Sequence, residues 1–404
     1  MRPLEGITVV TLEHAIAAPF ATRQLADLGA RVIKIERPGS GDFARGYDKR
    51  TRGMASHFVW TNRSKESLTL DVKHPLANGV LHRLLAEADV LVQNLAPGAA
   101  ARLGLSYDAL EKIHPRLIVC DISGYGDDGP YTEKKAYDLL IQSEAGFLSI
   151  TGTPEAPCKA GNSAADIAAG MYAYSSILAA LIERGKTGKG RRIEISMLEA
   201  MAEWMSYPLY YSIDDQPPPG RTGASHATIY PYGPFKVGTP RVLPAGRAGE
   251  TVSTVMLGLQ NEREWVVFCV QVLLRPELAQ DERFAGNAQR QTHRDELAEI
   301  IETVFSQLDA ATLVERLDAA DIANARVNDM AALWRHPQLA ARDRWRTIDS
   351  PVGALPALLP PGMSASDDPR MDAVPALGEH TQAILAELDL SDADIRQLQT
   401  EGAI

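Results

Sequence analysis

The sequence predicts an α/β protein, with a Rossmann-like large domain and a smaller α+β domain. Three observations carry that expectation. Short β-branched runs alternate with amphipathic stretches through the first third of the chain, the rhythm of a mostly parallel sheet covered by helices on both faces. An Ala-rich helical stretch and one more short strand continue the pattern beyond residue 190. Pro217-Pro218-Pro219-Gly220 then marks a rigid turn and a linker, after which aromatic-Pro-Gly turns around Tyr230 to Phe235 introduce a different texture. A chain of 404 residues has room for two or three domains and a sizeable core.

Taken in order, the strands are Ile7–Leu12, Arg31–Glu36, Ser67–Val72, Asp89–Asn94 and Arg116–Ser123. Pro19–Leu28 reads as a helix stopped by Gly29, and Pro75–Ala88 as another opened by its proline. From Ala164 to Arg184, Ile167, Met171, Tyr174, Leu178 and Leu181 recur at helical spacing, and the helix is expected to break in Gly185-Lys186-Thr187-Gly188-Lys189-Gly190. A strand Arg192–Ser196 and a helix from Met197 follow. Helices over Glu262–Leu274 and Arg294–Phe305 belong to the smaller domain, and a helical tail runs from His380 to Gly402. The expected organisation is a large domain from residues 1–220, a small domain from 221–325, and a return to the large domain over 326–404.

Composition excludes several classes. Lysine and arginine number 41 against 52 aspartates and glutamates, a formal charge of -11, so no basic footprint for nucleic acid is present. Apolar residues at 45% and charged residues at 23% are globular values, which argues against disorder. The N-terminus lacks the apolar core of a signal peptide, and no apolar run is expected to reach the ~20 residues of a membrane helix. Cys120, Cys158 and Cys269 form no CxxC pair and no even framework, which suits a reduced, cytoplasmic compartment.

Several motifs have bland readings. Gly124-Tyr125-Gly126-Asp127-Asp128-Gly129 matches GxGxxG after a strand, but Pro130 and Tyr131 stand where a helix should open, so a turn is expected. The nine histidines form no i,i+3 or i,i+4 pair and no cysteine sits at ligand spacing, so no metal site is expected. A GxSxG elbow is absent, and the Gly-rich run at 185–190 ends a helix rather than opening one. Asp166 lies where the Ala-rich helix begins. It reads either as a capping carboxylate or, with small neighbours at Ala164, Ala165, Ala168, Ala169 and Gly170, as an ionised and accessible nucleophile toward a thioester.

Read together, ordered segments along nearly the whole chain resemble the class III CoA-transferases. That family includes formyl-CoA:oxalate and carnitine CoA-transferases, with α-methylacyl-CoA racemases as relatives. The segments are Pro3-Leu4-Glu5-Gly6, Ala17-Ala18-Pro19, Leu28 to Arg37, Gly39-Ser40-Gly41-Asp42, Leu70-Asp71-Val72-Lys73, Asn94 to Gly98, Arg102-Leu103-Gly104, Lys186 to Gly190 and Leu377-Gly378-Glu379-His380-Thr381. The resemblance implies an interlocked homodimer, no tightly bound cofactor, an acyl-CoA thioester as substrate and a small carboxylic acid as its partner. It implies Asp166 as the catalytic nucleophile, passing through an aspartyl anhydride and an aspartyl-CoA thioester. It also implies CoA contacts at His14, Ala17, Arg37, Leu70, Lys73, Asn94, Leu95, Arg102 and Lys135.

Departures from the family pattern bear on substrate. Tyr137-Asp138 stands where racemases carry a His-Asp pair, so transfer is favoured over racemisation or isomerisation. Gly246-Arg247-Ala248-Gly249 replaces a run of four glycines, and Ile16 replaces a glutamine, which disfavours oxalate. Tyr47, His57 and Tyr137 are the expected substrate contacts. His57, with a cation among Arg45, Lys49, Arg50 and Arg52, is expected to hold the distal carboxylate of an acid such as succinate, itaconate or citramalate, with succinyl-CoA as donor. A nucleotide-binding protein that has lost catalysis is the alternative from another class.

Overall fold

The computed structural model describes residues 2–238 and 252–404, so the Gly246–Gly249 stretch lies outside the described residues. Six strands, β1 Thr8–Leu12, β2 Arg31–Glu36, β3 Lys65–Thr69, β4 Val90–Gln93, β5 Ile118–Ser123 and β6 Arg192–Ser196, pair in parallel in the order β3-β2-β1-β4-β5-β6. Alternation along the strands feeds two apolar layers. Val9, Val32, Val90, Ile118 and Cys120 pack with the Ala17–Asp27 and Ala164–Thr187 helices. Val10, Leu12, Ile33, Ile35, Leu68, Leu91 and Val119 pack on the opposite face with the Ala77–Glu87 helix and the C-terminal residues Ile384, Leu385 and Leu398.

The chain divides into two compact units. The larger comprises Met1–Phe147, Ala160–Tyr207 and Pro337–Ile404, and the smaller Leu148–Lys159 and Pro208–His336. The larger unit also carries an antiparallel pair, β10 Trp345–Ile348 and β11 Leu355–Leu358, whose Ile348 and Leu355 cover Phe58. In the smaller unit β7 Tyr232–Val237, β8 Ser253–Gly258 and β9 Ala323–Arg326 form an antiparallel sheet. Its core is aromatic, with Phe235, Trp265, Phe268, Phe284 and Phe305 buried together.

The units part at 207/208 and 336/337, whereas the Pro-rich composition places the divisions at 220/221 and 325/326. Backbone ties explain the inclusion of 148–159. The Gly223 amide donates to Gly152 O at 2.7 Å, and the Arg221 guanidinium donates to Thr153 O at 2.8 Å and Pro154 O at 3.0 Å. β3 begins at Lys65, two residues before the expected start, because register with β2 pairs Lys65 with Val32 and Thr69 with Glu36. The Ala-rich helix passes through Gly185 and stops at Gly188, whose φ of 72° no ordinary side chain favours. Contrary to expectation, this helix is long and apolar enough to cross a membrane. Its small residues Ala165, Ala168, Ala169 and Ala173 are nonetheless buried in the apolar layer under the sheet. The expected Glu262–Leu274 helix is α-helical over Glu262–Val267 and passes into a π-helical turn over Phe268–Val272. The tail is two helices, Thr381–Glu387 and Asp392–Thr400, the second opened by a capping box at Ser391 and Asp394.

Candidate active site

In an open parallel sheet the crevice for a ligand lies beyond the carboxyl ends of the strands, where the winding direction reverses. Here that point is β1, flanked by β2 and β4. His14 follows β1 and Ala17 opens the next helix; Arg37 follows β2; Leu70 and Lys73 follow β3; Asn94, Leu95 and Arg102 follow β4; Lys135 follows β5. The residues that the resemblance assigns to CoA therefore all leave the same edge of one sheet. Arg37, Lys73, Arg102 and Lys135 are exposed. Leu70 is buried in the apolar layer, so its side chain is committed to packing and only its backbone is left for a ligand.

The loops at the reversal point are braced. Asn94 Oδ1 accepts the His14 amide at 2.9 Å and its Nδ2 donates to His14 O at 2.9 Å, joining the ends of β1 and β4. The His14 ring stacks on Phe43 at 5.4 Å, and burial lowers its pKa, which favours the neutral imidazole. Asp42, fully buried, accepts the amides of Ala15 at 3.2 Å and Ala44 at 2.9 Å and the Lys34 ammonium at 2.8 Å. Ala15 has a φ of 62°, a left-handed turn that costs an alanine of order 1 kcal/mol and that this bracing holds in place.

Beneath the loops lies a buried ionic cluster that sequence reading missed. Glu13 accepts from Lys65 Nζ at 2.6 Å and Lys34 Nζ at 3.3 Å, and from the hydroxyls of Thr11 and Thr22 at 2.8 Å and 2.6 Å. Glu36 accepts from Arg45 at 2.8 Å and 2.7 Å and from Ser67 at 2.6 Å. A lysine at the start of a β-strand ordinarily signals solvent, and Lys65 gives no sequence sign that its partner is a glutamate 52 positions earlier.

Asp166 is the third residue of the Ala164–Thr187 helix and half-buried. It is not the cap. Asp138, on the short Asp138–Glu144 helix, reaches across and accepts the amides of Ala165 at 2.8 Å and Asp166 at 3.3 Å through Oδ1. This corrects the expectation of an ionised carboxylate facing its own helix amides. Burial first, then the Asp138 charge, push the Asp166 carboxyl up to about 7, while a hydrogen bond from the Ala17 backbone pulls in the opposite direction. Close helix contact sets this geometry. A Cβ on Gly170 would lie 2.7 Å from Ala17 O and 2.9 Å from the Phe20 ring. Gly170→Ala is therefore expected to destabilise the protein by about 1–3 kcal/mol, as an overpacked contact. An unchanged urea midpoint would contradict this tight approach.

Tyr47 lies near Asp166: burial, Asp42 and Asp166 push its hydroxyl up to about 12, and Tyr137 adds a smaller push. The Tyr47 ring meets His57 edge-on at 5.6 Å, and His57 Nδ1 is 3.7 Å from Asp48. Asp166 and Tyr137 thus both act on the Tyr47 hydroxyl, and His57 touches the Tyr47 ring. The basic loop is less available than expected. Arg45 is spent on Glu36 and packs 3.8 Å from the Phe58 ring centre, and Arg52 donates to Ala354 O at 2.9 Å. Lys49 and Arg50 remain exposed. The GxGxxG segment is a turn: a Cβ on Gly124 would lie 2.1 Å from Ala136, and Gly126 and Gly129 have φ of 96° and 79°. Among the described residues no group of three or more His, Cys, Asp or Glu is placed to hold a metal ion.

Comparison with known proteins adds identity to this geometry. The profile of CoA-transferase family III matches residues 4–381. A human succinyl-CoA:glutarate CoA-transferase is 30% identical over 409 residues, covering 100% of this chain and 90% of that protein. A formyl-CoA:oxalate CoA-transferase of Streptomyces coelicolor is 31% identical over 416 residues, covering 100% of this chain and 99% of the relative. The crystal structure of a CAIB/BAIF family protein from Brucella suis superposes with a TM-score of 0.82 at 33% identity, over 96% of this chain and 100% of that one.

Proposed function

Since this chain belongs to CoA-transferase family III, as an acyl-CoA:carboxylate CoA-transferase, we propose that Asp166 is its covalent carrier and that a dicarboxylic acid is its acceptor. The observation that carries the reading is the Asp166 carboxyl itself. It stands at the opening of a helix whose amides another aspartate has taken, beside the backbone of Ala17 at the reversal point of the sheet.

An Asp166 oxygen attacks the thioester carbonyl, the C–S bond breaks, and CoA departs as thiolate to leave an aspartyl anhydride. The thiolate attacks the aspartyl carbonyl of that anhydride and the donor acid leaves as carboxylate, giving an aspartyl-CoA thioester. The acceptor carboxylate displaces the thiolate to form a second anhydride. Attack of the thiolate on the acceptor's carbonyl then releases the new acyl-CoA and regenerates Asp166. Acyl activation is conserved throughout, so no external energy source enters. Partial burial helps, because a poorly hydrated carboxylate is a stronger nucleophile once ionised.

Arg37, Lys73, Arg102 and Lys135 are suited to the phosphates of CoA, being exposed cations on loops leaving one sheet edge. His57, with Lys49 or Arg50, is suited to a distal carboxylate. Support for that acceptor class comes from relatives named for glutarate and oxalate, both dicarboxylates. The homodimer belongs to the same reading; Trp204, Tyr207, Leu209 and Tyr210, exposed in the single chain, would be covered by a second copy. With succinyl-CoA as donor, thioesters of glutarate, itaconate or citramalate are expected to form about tenfold faster than that of butyrate, the value of one charge-assisted hydrogen bond. Mass spectrometry of the products reads this directly. Butyrate as the best acceptor would overturn the dicarboxylate assignment.

A further inference from the structure

Asp138 does more than end a loop. Its Oδ1 takes the two amides that open the long helix, at 2.8 Å and 3.3 Å, while its Oδ2 accepts Gln142 Nε2 at 2.7 Å. Gln142 is fully buried, and its Oε1 accepts the Ala160 amide at 3.0 Å. The carboxylate is thus fixed from both sides, by the helix it caps and by a glutamine anchored to the segment leading into that helix. A helix N-terminus favours an anion, and that place is already filled from outside the helix.

We propose that Asp138 is a positioning residue for the transfer reaction, which occupies the helix N-terminus in place of Asp166 and thereby leaves the Asp166 carboxyl held by the Ala17 backbone and not by the amides of its own helix. The inference rests on the reading of Asp166 as the covalent carrier. Two carboxylates converge on one helix end, and Asp138 is the one that holds the helix amides. The groups acting on Asp166 are Asp138 from the short helix, the Ala17 backbone from the neighbouring helix, and the Tyr47 hydroxyl from the loop after β2, with Tyr137 beside Tyr47. Among the described residues no cation acts on Asp166 strongly enough to offset Asp138.

The sign follows. Asp166 must be ionised to attack, so adduct formation in the free enzyme rises with pH toward a plateau above about 7. Asp138→Asn keeps an oxygen for the two amides and removes the negative charge. The acid limb of adduct formation at Asp166, read by mass spectrometry after rapid quench, is expected to move down by roughly half to one pH unit. A purely structural cap would change the amplitude and leave the midpoint in place. Asp138→Ser, a neutral capping residue, should shift the limb in the same direction if Asp138→Asn folds poorly.

A second readout does not depend on catalysis. The raised carboxyl pKa means that ionised Asp166 is held at a cost in the folded state, absent below about pH 4 and complete above about 7. Asp166→Asn should therefore raise the melting temperature at pH 8 more than at pH 5, and the difference should shrink in the Asp138→Asn background. A limb unmoved in a folded Asp138 variant, with an unchanged stability difference, overturns the role assigned to Asp138. Absence of any adduct at Asp166 in the unaltered enzyme, with the stability coupling intact, rejects the carrier reading while preserving the coupling between the two carboxyls.

Discussion

Asp166→Ala is expected to lower kcat by about 10⁴-fold or more, while CoA binding, measured by calorimetry, stays within about twofold. The size follows from the proposed role: removing a covalent carrier would remove the route, and what remains is the background available to bound reactants. The selectivity follows from the fold. The cationic residues suited to CoA stand on loops after β2, β3, β4 and β5, whereas Asp166 is carried by the Ala164–Thr187 helix. Its truncation leaves Asp138 still bonded to the amides of Ala165 and residue 166, so the helix keeps its start. Asp166→Asn should be equally inactive, because an amide is a poor nucleophile of nearly the same shape. Turnover within tenfold of the parent in either variant would remove the mechanism.

Glu13→Gln is expected to cost about 3–5 kcal/mol of stability, measured by urea denaturation, with folding at 37 °C at risk. Glu13 sits fully buried between the ammonium groups of Lys65 and Lys34, at 2.6 Å and 3.3 Å. Burial pushes its carboxyl up, but the two lysines and the hydrogen bonds outweigh this and hold it at about 2. A depressed carboxylate pKa stabilises the fold above the unfolded value near 4.5, and that stabilisation is lost as pH falls toward 2. With glutamine, one amide oxygen at residue 13 can still accept a hydrogen bond but the negative charge is gone, leaving Lys65 the neutral Pro19 carbonyl at 3.0 Å and Asn62 Oδ1 at 3.2 Å besides it, while Lys34 keeps Asp42. Burial lowers the Lys65 ammonium to about 7 even beside Glu13, so without that carboxylate the lysine must shed its proton or stay unpaired. The disturbed cluster sits below the Ala15 turn, so a loss of order should reach the crevice. A destabilisation below about 1 kcal/mol would mean that water already solvates the cluster.

The sheet was legible because its strands are apolar on both faces, so that Val9 and Val10, or Val32 and Ile33, read as strand without knowledge of partners. The site edge was legible for a topological reason: loops that follow parallel strands must leave on the same side. Other features depended on contacts that span the chain. β3 starts early because Lys65 is neutralised by Glu13, and a charged residue looks like the outside of a strand until its partner is known. Gly185 stays helical because the left-handed turn that ends the helix is supplied three residues later by Gly188. Arg45 reads as a free cation on a basic loop, yet Glu36 holds it.

Asp138 is the most instructive case. Its sequence neighbourhood offers only the start of a short helix, and the hydrogen bonds that matter are made to amides 27 and 28 positions away. Position at a helix start makes Asp166 itself read as a cap. The capping role was instead filled from a distance, and this changes the chemistry expected of Asp166 from a stably ionised group to one that titrates near neutrality. The signal that could have found it is the pairing of an aspartate with a glutamine four residues later, on a helix too short to be held by its own hydrogen bonds.

The central claim is that Asp166 bonds covalently, first to an acyl group and then to CoA. Incubating the protein with succinyl-CoA without acceptor, quenching in acid, digesting with protease and sequencing the peptides by mass spectrometry tests it directly. The account predicts a CoA-mass increment confined to Asp166, replaced by a hydroxamate when hydroxylamine is added. An unmodified Asp166 peptide, recovered while the same sample still exchanges succinyl groups between CoA and added acid, would contradict it.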